Sequence, residues 1–203
     1  MSSVYLAASP NPPSAPPGPE RGYIVSHVVL ASGGTVSGRH RLQKYVYLLD
    51  SAGMGSGFDF DYPRFGPFSN SLDRAIDDAV SDGLITERVI HPEHHGERYS
   101  VLIGTQKSDA FISGLTTDTT QRMLSILTQE NMMIISLAAA VDWLWRHEHS
   151  ENWFRDILRR RPVRSNGGRL SLATDLLDRI GLPAPNVAKE VCGPASPGTN
   201  FKA

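Results

Sequence analysis

Arg41-Leu42-Gln43-Lys44-Tyr45-Val46-Tyr47-Leu48-Leu49-Asp50 places Leu42, Tyr45, Val46 and Leu49 at i, i+3, i+4 and i+7. That spacing gives an amphipathic helix opening near Ser37 or Gly38, with Arg39, Arg41, Gln43, Lys44 and Asp50 largely off its apolar face. Gly53-Met54-Gly55-Ser56-Gly57 ends it in a flexible turn. The answering stretch is Phe60-Asp61-Tyr62-Pro63-Arg64-Phe65-Gly66-Pro67-Phe68-Ser69. Phe58 to Tyr62 alternates Phe with Asp, which predicts a short edge strand that Pro63 stops. Gly66-Pro67 then sets a backbone turn, and Ser69 or Asn70 caps the next helix with Asp73 near its positive end. Leu72, Ala75, Ile76, Ala79 and Val80 continue that helix to Gly83.

Working outward, Tyr23, Ile24, Val28 and Ala31 predict a first short helix closed by Gly33-Gly34. Downstream, Leu84 to Ile90 and Arg98 to Ile103 are rich in β-branched and aromatic residues and flank the polar tip His91-Pro92-Glu93-His94-His95-Gly96. They predict a β-hairpin. Helix, helix, short strand, helix and hairpin is the order of a winged helix, with residues 84–103 as the wing. Beyond it the chain turns helical: a short helix over Lys107–Ser113, one over Thr117–Thr128 with Met123, Leu124 and Leu127 inward, and one over Met132–His147. The inner stripe of the last is Met133, Leu137, Ala140, Val141 and Leu144. Trp153, Phe154, Ile157 and Leu158 anchor a further helix. After a loop at Pro162, Leu172, Ala173, Leu176, Leu177 and Ile180 mark the final one, stopped by Gly181-Leu182-Pro183. The expected fold is mainly α with a small β-hairpin, a winged-helix-like core extended by a C-terminal helical bundle. One domain spans 22–183, between a Pro-rich leader (1–21) and a tail (184–203) that are both expected to be disordered.

A chain of 203 residues is long enough to bury a core without disulfides. Its single cysteine, Cys192, suits a reducing cytosol, and Met1 to Ala8 lacks the pattern of a secretory signal, so a cytoplasmic location is expected. The longest apolar run, Met132 to Val141, falls short of the roughly 20 residues a bilayer span needs, and no membrane contact is expected. Twenty basic residues against twenty-one acidic ones leave no global field to attract nucleic acid. Any such binding needs a local patch.

The residues of catalysis do not assemble in sequence. Cys192 has no base beside it, no serine lies in an elbow motif, and no glycine-rich phosphate loop follows a strand. His91, Glu93, His94 and His95 lack a second defined ligand pair, and His94 and His95 would point to opposite faces of a strand, so no metal site is assigned. His147 and His149 complement a helix end, while Asp50, Asp59 and Asp61 read as caps and exposed strand positions. Neither an enzyme nor a cofactor is expected.

Several of these residues together resemble the SocA-like antitoxin domain, also called Panacea, and the related YwgA-like uncharacterised proteins. The likeness is carried by Leu42-Gln43-Lys44 with Tyr47 and Leu48, by Phe60 and Tyr62 ahead of Phe65-Gly66-Pro67-Phe68-Ser69, by Leu72, and by Gly83-Leu84-Ile85. A looser pattern continues through Leu137-Ala138-Ala139-Ala140-Val141 to Ala173 and Leu176-Leu177-Asp178-Arg179-Ile180-Gly181. The resemblance implies a small non-enzymatic protein of bacterial or phage origin, an antitoxin or an adaptor that presents a toxin to a protease.

Partner surfaces follow from charge. Gln43 is expected to bond to the aromatic turn and Lys44 to snorkel over the core, with a partner-binding role as the other reading of both. A winged helix would send residues 70–82 into the DNA groove, yet the outward residues there are Asp73, Arg74, Asp77 and Asp78. Carboxylates facing about one negative charge per 1.7 Å of duplex disfavour groove binding. A protein partner is therefore expected there, and the resemblance implies that it is a toxin or defence component. The other candidate is an arginine set, Arg155, Arg159, Arg160, Arg161, Arg164 and Arg169, suited to an acidic protein or a phosphate backbone. A winged-helix transcriptional regulator that binds DNA through the wing and these arginines is the alternative, and self-association into a homo-oligomer stays open.

Overall fold

The computed structural model describes residues 18–63, 66–91, 98–105, 115–161 and 168–185. Its order is α1 (Gly18–Ala31), β1 (Thr35–Ser37), α2 (Arg39–Ser51), α3 (Asn70–Ser81), β2 (Ile85–Ile90), β3 (Tyr99–Gly104), α4 (Thr117–Gln129), α5 (Met132–Asp142), a π turn (Trp143–His147), α6 (Trp153–Arg160) and α7 (Arg169–Arg179). The chain is mainly helical with a small antiparallel sheet of order β1-β3-β2. Val36 stands opposite Leu102, and Leu102 opposite Glu87. Through α1, β1, α2, α3, β2 and β3 this is the winged-helix arrangement, and the hairpin lies where its β-branched and aromatic residues predict.

Several boundaries differ from the sequence reading for local reasons. α1 begins at Gly18, inside the stretch expected to be an extended leader. Pro19 falls in its first turn, where a missing N–H costs no helical hydrogen bond. Tyr23, one of the residues that mark this helix in the sequence, is 45% exposed, and Ile24, Val25, Val28 and Val29 form the buried face. β1 was not expected; three residues between Gly34 and Gly38 give too short an alternation to register. Phe58 to Tyr62 is not a strand: only Asp61 pairs, in an isolated bridge with Phe68. Pro63 donates no hydrogen bond, which limits the ladder to that bridge. The expected helix over 107–113, Pro162 and the hairpin tip 92–96 lie outside the described residues.

In the C-terminal half α5 is the central element. Ile134 to Asp142 are all buried, so a single inner stripe understates it, and Met133, placed in that stripe, is 37% exposed. Leu172 is likewise 54% exposed, while Leu170, Ala173, Leu176 and Leu177 face inward. A helix apolar all round packs on several neighbours. α5 touches α2, α6, α7 and the π turn, and one apolar cluster runs from Ile24 to Leu182. Among the described residues no helix is long and apolar enough to cross a membrane.

Candidate functional site

Gln43 and Lys44 lie at the junction of α2, α3 and α5. Gln43 is fully buried on α2; its Nε2 donates to the Ser69 carbonyl and its Oε1 accepts from the Ser69 N–H, both at 2.9 Å. Ser69 in turn caps α3, its Oγ accepting from the Leu72 N–H at 3.2 Å. One amide therefore fixes where α3 starts. Lys44 does not snorkel. It is 2% exposed, and its ammonium donates to the Pro67 carbonyl. Burial, and then the positive charge of Arg161, bring its pKa down to about 8.

Arg161 is the counterpart of that turn. It is 5% exposed, and its Nη1 donates to the Ser136 carbonyl and hydroxyl on α5 at 3.3 and 3.2 Å. Gly66 has φ +93°, and a Cβ there would meet Arg161 Nη2 at 2.8 Å. Glycine is needed at this position both for the backbone and for the close approach. Leu72, Leu84 and Ile85 are core residues, and Gly83 turns at φ +71°. Phe60 meets Tyr47 edge-on at 5.3 Å, Tyr62 lies 6.0 Å from Trp143, and Phe68 lies 6.2 Å from His40. Phe65 is outside the described residues. The motif positions that are described thus hold helices together.

A second polar junction was not foreseen. Asp142 is 2% exposed; its Oδ2 accepts from the Tyr47 hydroxyl at 2.7 Å and the Ser51 hydroxyl at 2.8 Å, and its Oδ1 accepts from Arg146 at 3.1 Å. Burial and the adjacent carboxylate push the Tyr47 phenol well above its usual range. The only advance signal was a carboxylate closing an apolar run, with an arginine one helical turn on.

On α3, Asp77 and Asp78 are exposed and Asp73 is half-buried, and a residue of α2 joins them. Arg39, at the start of α2, reaches Asp77 at 2.7 Å, Asp73 at 3.5 Å and Glu87 on β2 at 2.6 Å. The Glu87 hydrogen bond holds the Arg39 guanidinium above its ordinary range and Glu87 below the usual carboxylate range. Three carboxylates share one guanidinium. Asp78 and Asp82 stand exposed beside them, together with Arg74. This face of α3 is acidic, at the edge of the hairpin.

Among the described residues the arginines of this set are dispersed rather than gathered on one free surface. Arg161 is buried, Arg159 pairs with Asp156 at 3.0 Å, and Arg160 pairs with Glu148 at 3.1 Å while lying 5.0 Å over the Tyr62 ring. Arg155 is exposed, Arg169 is half-buried, and Arg164 is outside the described residues. Helix α6 thus has its own acidic partners, which the linear run of arginines conceals. No cluster of three or more metal-ligating side chains occurs among the described residues. Compared with known proteins, the chain matches no family model and no curated sequence.

Proposed function

We propose that this chain is a non-enzymatic protein-interaction module of SocA-like antitoxin or proteolytic-adaptor type, acting in the cytoplasm on a basic toxin or defence component. The observation that carries this reading is the charge of α3. In a winged-helix frame this helix occupies the DNA-reading position, yet it presents Asp73, Asp77 and Asp78 with Glu87 alongside. Such a face repels a phosphate backbone and complements a basic protein, accelerating encounter and selecting partners. The motif residues support it indirectly: Gln43, Lys44 and Gly66 hold α3 at a fixed angle.

The test is co-expression with the product of the neighbouring gene. The wild-type chain is expected to relieve that protein's toxicity and to co-purify with it, whereas Asp78→Lys/Asp82→Lys, which leaves the Arg39 ion pairs in place, should do neither while melting as the wild type does. Unchanged rescue by the charge-reversed variant refutes the assignment of this face. The winged-helix topology itself favours a second reading, a DNA-binding regulator using exposed Arg88 and Arg98 on the wing. Gel shifts over the chain's own promoter at several salt concentrations separate the two, since phosphate contacts make binding fall steeply with salt.

A further inference from the structure

The interaction reading leaves unused a cavity of about 480 Å³ between the C-terminal end of α2, the Phe58–Phe60 segment and the π turn. Its walls include Tyr47, Phe58, Phe60 and Trp143, and its carboxylates are Asp50, Asp59 and Asp142. The π turn builds one wall: the Glu148 N–H donates to the Trp143 carbonyl at 2.9 Å, five residues back, and the Trp143 indole N–H donates to Glu148 Oε1 at 2.9 Å. Inserted turns of this kind often mark functional positions in helices.

The charges decide what fits. Asp142 is satisfied by Tyr47, Ser51 and Arg146, and the Arg146 guanidinium is engaged in return, its Nη2 donating to the Ser51 carbonyl at 3.2 Å. His147 stacks on Trp143 at 4.0 Å, and Arg21 lies 5.6 Å over the Phe58 ring. Asp50 is different: it accepts from the Ser56 backbone N–H at 2.8 Å and from the Ser56 hydroxyl, but no cation pairs with it among the described residues. Desolvation raises its pKa to about 6, against the hydrogen bonds from Ser56 and the Gly55 backbone, which lower it. Asp59, also on the lining, is exposed.

We propose that this cavity binds an alkylammonium or alkylguanidinium group, its charge on Asp50 and Asp59 and its apolar stem against Phe58, Phe60 and Tyr47. Aromatic walls beside a desolvated carboxylate favour an organic cation over an anion or a bare hydrocarbon. The group has two sources, a free amine or a basic side chain of a partner. The proposal does not depend on the antitoxin reading, because a free amine fills the cavity without any partner.

The experiment titrates the full chain with agmatine, with Nα-acetyl-arginine amide and with the neutral isostere Nα-acetyl-citrulline amide. It follows the Trp143 indole N–H by NMR, assigned by its loss in Trp143→Phe. At least one cation should give a saturable shift, with citrulline amide weaker by about tenfold or more. Asp50→Asn should weaken the cation about fivefold or more, and Asp59→Asn should do so to a lesser degree if the first variant does not fold. Tighter agmatine binding identifies a free amine as the source; tighter arginine-amide binding identifies a partner side chain. No saturable shift up to about 20 mM, equal binding of citrulline amide, or unchanged affinity in a folded Asp50→Asn or Asp59→Asn variant overturns the proposal.

Discussion

Gln43 is a side chain that serves as a backbone partner. Replacing it with Ala strands the Ser69 N–H and carbonyl in a buried site, where each unsatisfied group costs about 1 to 3 kcal/mol. Gln43→Ala is therefore expected to lose roughly 2 to 4 kcal/mol in urea unfolding, and a loss under about 1 kcal/mol would mean Ser69 finds other partners. Half-buried Asp50 and buried Lys44 make opposite pH predictions. Asp50 has a folded pKa raised from 3.8 to about 6, so its stabilising contribution is full below 3.8 and lost as pH rises through 6. Asp50→Asn should gain on the wild type across that window by roughly 2 to 3 kcal/mol, read from denaturation at pH 4 and pH 7. Lys44 has a folded pKa lowered from 10.5 to about 8, so its contribution is full above 10.5 and lost as pH falls through 8. The wild type should gain about 3 kcal/mol between those limits relative to Lys44→Met, and a parallel pH profile of the two would disprove the burial of this charge. The sequence placed Gln43 correctly against the turn. It did not reveal Lys44 as buried, because the group that accepts its hydrogen bond is the Pro67 carbonyl, which no side-chain pattern encodes.

At the scale of elements, the turn at Gly66 is where backbone and packing constraints coincide. Gly66→Ala forces an L side chain to positive φ and presses its Cβ on the Arg161 guanidinium that spans to Ser136. A loss of about 1 to 3 kcal/mol is expected. Gly33→Ala, at φ +90° with open space around it, isolates the backbone contribution and should lose less. Helices with a clear period, α3 and α4, were legible to within a residue or two; Ser69 caps α3 as its position before the apolar run predicts, and Thr116 caps α4 in the same way. Elements without such signals were not. β1 exists because β3 pairs with it, and Phe58 to Tyr62 alternates without a partner strand to exploit it. The acidic face of α3 was visible in the linear sequence, but Arg39 and Glu87, which complete it, lie on other elements and converge only in three dimensions.

Across the whole molecule, the winged-helix core and the C-terminal helices share one interior. α2 is the common member: Tyr45 donates to the Leu127 carbonyl on α4 at 3.2 Å, Tyr47 to Asp142 on α5, and Leu42, Val46 and Leu49 belong to the same cluster as Leu137 and Leu176. Removing residues 106–203 would expose that face and leave both phenols without their acceptors. The fragment 1–105 is therefore expected to keep part of its far-ultraviolet helical signal but to lose near-ultraviolet dichroism and a cooperative melt, whereas the full chain unfolds in one transition. A fragment that melts cooperatively would instead show that the wing and α3 form a stable unit alone. In that case the proposed binding of a basic partner by the acidic face should survive without the C-terminal helices, and the same co-expression assay would detect it. Loss of both properties together is the outcome that the shared core requires, because the angle at which α3 is held depends on Gln43 and Lys44, and both stand on the helix that α5 buries.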